Sequence, residues 1–200
     1  MENTHNGHEF VDLGLPSGTL WATCNVGATS PEQAGLYFAW GETTGYTAEQ
    51  VENGERAFND KSYKAKDIST NLTLEQDAAR ANLGGNWRMP TKTDFQELIG
   101  NTVCVSIDNF LDTEVNGMMF LSLIYGTYVF LPAVGGCSNG NRKAVREGGY
   151  YNSSTYPSSW KFWEKSKNAV GLGFVEDAVD IAFNSRYAGI PIRGVLDKAF

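Results

Sequence analysis

The chain has 200 residues, a net charge of −7, 42% hydrophobic and 12% aromatic residues. That apolar share can build a packed core of one domain and sets global disorder aside. The acidic balance opposes phosphate backbones and anionic membrane surfaces, so no nucleic-acid partner is expected, and no run of about 18 apolar residues predicts a membrane span.

The first stretch, "MENTHNGHEF", is polar and lacks a secretory hydrophobic region. Residues 1–7 are expected to form a flexible leader, carrying His5 as a mobile side chain with His8 close behind. These are the two histidines of the chain, and a frayed leader is a poor place for a catalytic imidazole. "HEFVDLGLPSGTLWATCNVG" predicts two strands around a turn region at Gly14–Gly18. "GLYFAWGE" (35–42) predicts an aromatic strand. Residues 43–70 are polar and turn-rich and predict a long surface excursion. "TLEQDAARANL" (73–83) predicts a helix with Thr73 as cap, Gln76 completing a capping box, and Gly84-Gly85 as the stop.

"NWRMPTKTDFQELIG" (86–100) predicts an extended arm, a corner fixed by Pro90, and a helix. Pro90 biases Met89 toward an extended conformation. Thr91 and Asp94 have capping-box spacing, Phe95, Leu98 and Ile99 form one apolar face, and Gly100 suits the position after the helix. Trp87 is expected in the core and Arg88 on loop carbonyls or an acidic partner. Beyond residue 102, "VCVSI", "GMMFLSLI", "TYVFLPAVG", "AVGLGFV", "AVDIAF" and "GIPIRGV" predict short strands divided by Gly, Asn and Ser. The whole predicts an α+β domain with an antiparallel sheet.

Taken together and in order, "FVDLGLPSGTLWATCNVGA", "YFAWGET", "NWRMPTKTDFQELI", "VFLPAVG", "GGYYNSST" and "SRYAGIPIRGV" resemble the Fibrobacter major paralogous domain family, abundant in Bacteroidetes. The resemblance covers roughly residues 8–196. It implies a C-type-lectin-like fold, related more distantly to formylglycine-generating enzymes, as a single domain over 8–200. Two short helices would flank a small twisted antiparallel sheet, with the N- and C-terminal strands paired. The chain departs from the family pattern at Asn152, where Trp is usual, at Gly171 and Gly173, where larger residues are frequent, and at Gly194, where Pro is common.

Most specific chemistries find no motif in the chain. The three cysteines, Cys24, Cys104 and Cys137, form no CxxC pair, so no zinc site is expected and all three are read as reduced. Formylglycine-generating enzymes use paired cysteines near the C-terminus. No cysteine follows Cys137 here, so that oxidase activity is not carried over. Glu42 and the Glu176, Asp177, Asp180 cluster are read as a solvated acidic surface, with a carboxylate-based glycan hydrolase as an alternative. The Glu-Pro-Asn, Gln-Pro-Asp and Trp-Asn-Asp tripeptides of calcium-dependent sugar-binding lectins do not occur. No cofactor is therefore expected, although a structural calcium ion is compatible with such a fold.

The positive signal is compositional. Gly, Ser, Asn and Tyr fill 16 of the 27 positions from 134 to 160, a mixture that paratopes favour because Tyr supplies rigid contact area while the small polar residues adapt. The expected function is a non-enzymatic binding or adhesion module of a bacterial or phage surface, taking a protein or glycan ligand. The candidate contact residues are Asn139, Asn141, Arg142, Tyr151, Asn152, Tyr156, Trp160, Trp163, Asn184, Arg186 and Tyr187. A second reading is a variable receptor-binding protein diversified by a retroelement.

Overall fold

The computed structural model describes residues 3–157 and 167–198. It is an α+β arrangement in which strands dominate and all sheets are antiparallel. Three α-helices occur among the described residues, one more than the two expected, and none is long and apolar enough to cross a membrane.

The first sheet joins the two ends of the chain. It runs β1 (Thr4–His5), β2 (His8–Asp12), β3 (Leu20–Asn25) and β14 (Arg193–Leu196) in that order. Val195 lies opposite Trp21 and Leu196 opposite Leu20, so the C-terminal strand pairs with β3, while β1, the first strand, lies at the far edge of the same sheet. Residues 3–7 are not a free leader. Asn6 and Gly7 both have positive φ and make a two-residue turn that brings His5 opposite His8. The His5 carbonyl accepts from Trp87 Nε1 at 3.0 Å, and its Nε2 accepts the Asn86 N–H at 3.0 Å. The hairpin is thereby pinned to the arm that precedes the main helix.

The excursion at 43–70 contains α1 (Ala48–Glu52) and follows a strand shorter than expected, β4 (Tyr37–Phe38), which pairs with β13 (Ile190–Pro191). The helix expected over 73–83 is divided. A 3-10 turn spans Leu74–Gln76, and α2 spans Ala78–Leu83. Asp77 breaks the run because its backbone is extended and its carboxylate is committed elsewhere. It accepts the Arg80 N–H at 2.9 Å as a cap and the Met89 N–H at 2.8 Å. One buried carboxylate thus fixes both the helix start and the arm beyond it.

The main helix, α3 (Lys92–Asn101), starts as expected. Thr91 caps it, and the Asp94 side chain returns a bond to the cap N–H. Phe95 and Leu98 are buried against Trp21, Met118 and Leu172. Gly100 lies inside the last turn rather than after it, and Thr102 closes the helix by donating to the Leu98 carbonyl. Trp87 is fully buried, and Arg88 bridges Asp94 at 2.7 Å and Asp197 at 2.6 Å. Arg88 therefore ties the helix cap to the chain just beyond β14.

Two three-stranded sheets complete the fold. One joins β5 (Val103–Ile107), β6 (Gly117–Leu121) and β7 (Tyr128–Pro132). The other joins β10 (Gly148–Asn152), β11 (Asn168–Val175) and β12 (Ala178–Ser185). Helix α3 packs on β11 and β12. Arg193 sits where β3, β14 and β7 meet, fully buried, donating to Asn25 Oδ1 and to the carbonyls of Ala22, Thr23 and Phe130. Burial lowers its pKa, and the oxygens around it take up its N–H groups without a carboxylate. Cys24, Cys104 and Cys137 are all free thiols; Cys137 is buried and the other two are half-buried.

Candidate binding cleft

The C-terminal half converges on one cleft. A short ribbon, β8 (Gly136–Ser138) and β9 (Asn141–Lys143), turns at Asn139-Gly140, where both residues have positive φ. This is the turn geometry that Asn-Gly favours, and it matches the twist of the two strands. The ribbon is held on three sides. Cys137 exchanges two backbone bonds with Gly189, at 2.7 and 2.9 Å. Gly135 donates to the Gly148 carbonyl at 3.0 Å, and the turn donates to the carbonyls of Ala57 and Phe58.

The β10–β11–β12 register supplies the opposite wall. Tyr150 lies across from Gly173 and Asp180, and Asn152 across from Gly171 and Ala182. Alternation therefore puts Tyr150, Asn152, Asp180, Ala182 and Asn184 on one face. Between this face, the ribbon and the loop after β12 lies a cleft of about 250 Å3. Ser138, Lys143, Tyr150, Asn184 and Tyr187 reach it, over a base that includes Cys137 and Ile190. Burial pushes the Cys137 thiol up to about 12, so it is a neutral, inert part of the wall. Among the described residues no carboxylate lines the cleft.

The eleven expected contact residues divide into groups. Asn184 and Tyr187 line the cleft. Asn139, Asn141 and Arg142 are exposed on the ribbon, with Arg142 held by Glu52 at 2.8 Å, a bond that raises its pKa. Tyr156 is half-buried and shares Arg186 with Trp40, the guanidinium lying 4.9 Å from one ring and 4.5 Å from the other. Trp160 and Trp163 lie outside the described residues.

Three of the expected residues are framework instead. Tyr151 is fully buried, donates to the Pro132 carbonyl at 2.9 Å, and has its pKa pushed up to about 12 by burial. It faces the core because it follows Tyr150 on a strand, and the outward position belongs to Tyr150. Arg186 is buried and donates to the carbonyls of Ile68 and Asn168. Asn152 is on the outward face but buried beneath Asn184, whose Nδ2 donates to its Oδ1 at 3.1 Å. It therefore orients Asn184 rather than meeting solvent.

Ser138, Lys143 and Tyr150 are additions to the expected set. Tyr150 is legible from strand alternation, since choosing Asn152 as outward implies Tyr150 with it. Lys143 becomes legible once the Asn139-Gly140 turn is recognised, because the ribbon then folds Lys143 opposite Gly136.

Of the acidic candidates only Asp180 shares the outer face with Tyr150, and among the described residues none lines the cleft. Glu42 forms an ion pair with Arg56 at 2.6 Å, and its other oxygen accepts the Lys64 N–H at 2.7 Å. Glu176 and Asp177 form the turn between β11 and β12 and are exposed, as is Asp180. Among the described residues no group of three His, Cys, Asp or Glu side chains is placed to hold a metal ion.

A larger groove, about 680 Å3, lies between β1–β3 and β7, with Phe10, Val11, Pro31, Tyr128 and Phe130 among its walls. The adjoining β6–β7 turn exposes Leu123, Ile124 and Tyr125 at 77%, 69% and 57%. Its polar base is fixed, because Ser122 donates to the Leu13 carbonyl and Thr127 to that of Asp12. No protein-family model matches the chain, and neither a curated protein nor a solved structure does.

Proposed function

We propose that this chain is a non-enzymatic binding module of a bacterial or phage surface, with a C-type-lectin-like architecture of the kind its family resemblance implies. Its ligand, a glycan or a surface protein, enters the cleft between the β8–β9 ribbon and the outer face of β10–β12. The observation that carries this reading is convergence. Ser138, Lys143, Tyr150, Asn184 and Tyr187, drawn from three separate stretches, meet around one opening. Two phenol rings, an amide and a hydroxyl are groups that recognise by stacking and hydrogen bonding. Among the described residues the lining offers no imidazole or carboxylate for acid–base work. An array of glycans and surface proteins, run with and without calcium, tests it. Binding that is lost in Tyr150→Ala and Asn184→Ala supports the cleft, and binding indifferent to both refutes it.

A variable receptor-binding protein diversified by a retroelement is a second reading. It is supported by the placement of Asn152, Gly171 and Gly173, departures from the family pattern that lie together on β10 and β11 beside the cleft. The genome tests it: a neighbouring reverse transcriptase gene and an adenine-rich template copy of this segment are expected, and their absence overturns the reading.

A further inference from the structure

We propose that the ligand of this cleft is a carboxylate-bearing sugar, a uronic or sialic acid residue at the end of a glycan. The inference rests on the cleft being the binding site and names the class of its ligand. Its first support is the charge of the wall. In a chain of net charge −7, the ionisable side chains reaching the cleft are Lys143, Tyr150, Tyr187 and the inert Cys137. Lys143 is exposed and forms no ion pair among the described residues. An ammonium at the mouth of an opening without carboxylates attracts an anion.

The neighbouring arginines stand apart from the opening. Arg186 sits between two residues that line the cleft, Ser185 and Tyr187. Its guanidinium is buried, bonded to two carbonyls, and its Nη2 has no partner among the described residues. The guanidinium lies between the Trp40 and Tyr156 rings and bonds to Ile68 and Asn168, none of which lines the cleft, so the charge of the opening rests on Lys143. Arg142, by contrast, is matched by Glu52. Among the described residues the lining thus carries one unpaired ammonium and no carboxylate, with Asp180 on the same outer face two strands away from Tyr150.

Size and the remaining groups point to a sugar. About 250 Å3 is below the 300–1,000 Å3 usual for drug-sized ligands and suits a single ring. The Tyr150 and Tyr187 rings offer apolar faces to sugar C–H groups. Asn184 gives one amide hydrogen to Asn152, which leaves its Oδ1 to accept from a hydroxyl. A carboxylate on the ring then reaches the ammonium of Lys143 while the hydroxyls meet Asn184 and Ser138.

The test is an array printing oligosaccharides of galacturonic, glucuronic and sialic acid, each beside its counterpart lacking the carboxylate. The acidic members are expected to bind about tenfold more tightly, the value of one charge-assisted hydrogen bond. Lys143→Ala removes that preference, Lys143→Arg keeps it, and added salt weakens it. Lys143 is exposed, so matched thermal melts are expected for all three proteins. Equal binding of both members of each pair overturns the carboxylate proposal. Loss of that neutral binding in Tyr150→Ala would then leave the cleft itself standing. A preference for acids that survives Lys143→Ala overturns Lys143 as the partner of the carboxylate. Capture of acidic peptides with no saccharide overturns the sugar class, and saccharide binding unaffected by Tyr150→Ala overturns both proposals.

Discussion

Replacing Asp94 by Asn separates a buried clamp from a surface ion pair. The Asp94 side chain is 10% exposed, and its two oxygens receive Arg88 at 2.7 and 3.3 Å and the Thr91 N–H and hydroxyl at 2.7 and 2.8 Å. In the Asp94→Asn variant an NH2 group must face at least one of these donors in either orientation. Breaking a buried ion pair costs about 3–5 kcal/mol, but Arg88 is 22% exposed and retains Asp197, so about half of that applies. The damaged cap adds about 1 kcal/mol. A total near 3 kcal/mol lowers Tm by roughly 6–12 °C at this chain length. Asp197→Asn removes a partner that is 75% exposed and is expected to cost under about 1 kcal/mol. Burial pushes the Asp94 carboxyl up, but the bonds from Arg88 and Thr91 outweigh it and hold it below the usual range. Its stabilisation is therefore present above the unfolded value of about 3.9 and lost as pH falls through the folded one. The gap between wild type and Asp94→Asn, measured by calorimetry or urea unfolding, should stay constant above about pH 5 and shrink in acid. A cost for Asp197→Asn equal to that of Asp94→Asn, or a gap that widens in acid, refutes the clamp.

Three further outcomes follow from the framework around the cleft. Tyr151→Phe should cost about 1 kcal/mol in urea unfolding through the lost bond to the Pro132 carbonyl, which keeps the Val134 N–H at 2.9 Å, and leave ligand binding unchanged. Gly171→Ala should destabilise by at least about 2 kcal/mol in the same assay, because a Cβ there would collide with the Tyr151 carbonyl oxygen, in backbone that has little room to move. In native thiol labelling, Cys24 and Cys104 should react well before Cys137, whose buried, neutral thiol reacts at the rate of unfolding.

Local rules carry much of the fold into view. The Thr91–Asp94 capping box and the Phe95–Leu98 face are written in adjacent residues, as is the alternation of the later strands. The expectations fail where a distant partner decides the outcome. Asp77 reads as one polar residue in a helical run, and only the Met89 N–H, brought near by the fold, explains why it breaks that run. Residues 3–7 look free in the sequence because their anchors, Asn86 and Trp87, lie some eighty positions away. Yet the Asn6-Gly7 turn is a legible hairpin signal, as Asn139-Gly140 is for the ribbon. The cleft is legible as a region, and its membership is not. Composition marks 134–160, but cross-strand register decides that Tyr150 and Asn184 point out together while Tyr151 serves the core.

The most direct measurement of the central claim is a 1H–15N titration of the chain with the strongest ligand from the array. The account predicts shifts clustered at 136–138, 143–144, 150 and 184–190, with little change at 9–11 and 126–130. Shifts concentrated in the Phe10–Tyr128 groove or at the Leu123–Tyr125 turn, with the cleft silent, would contradict it.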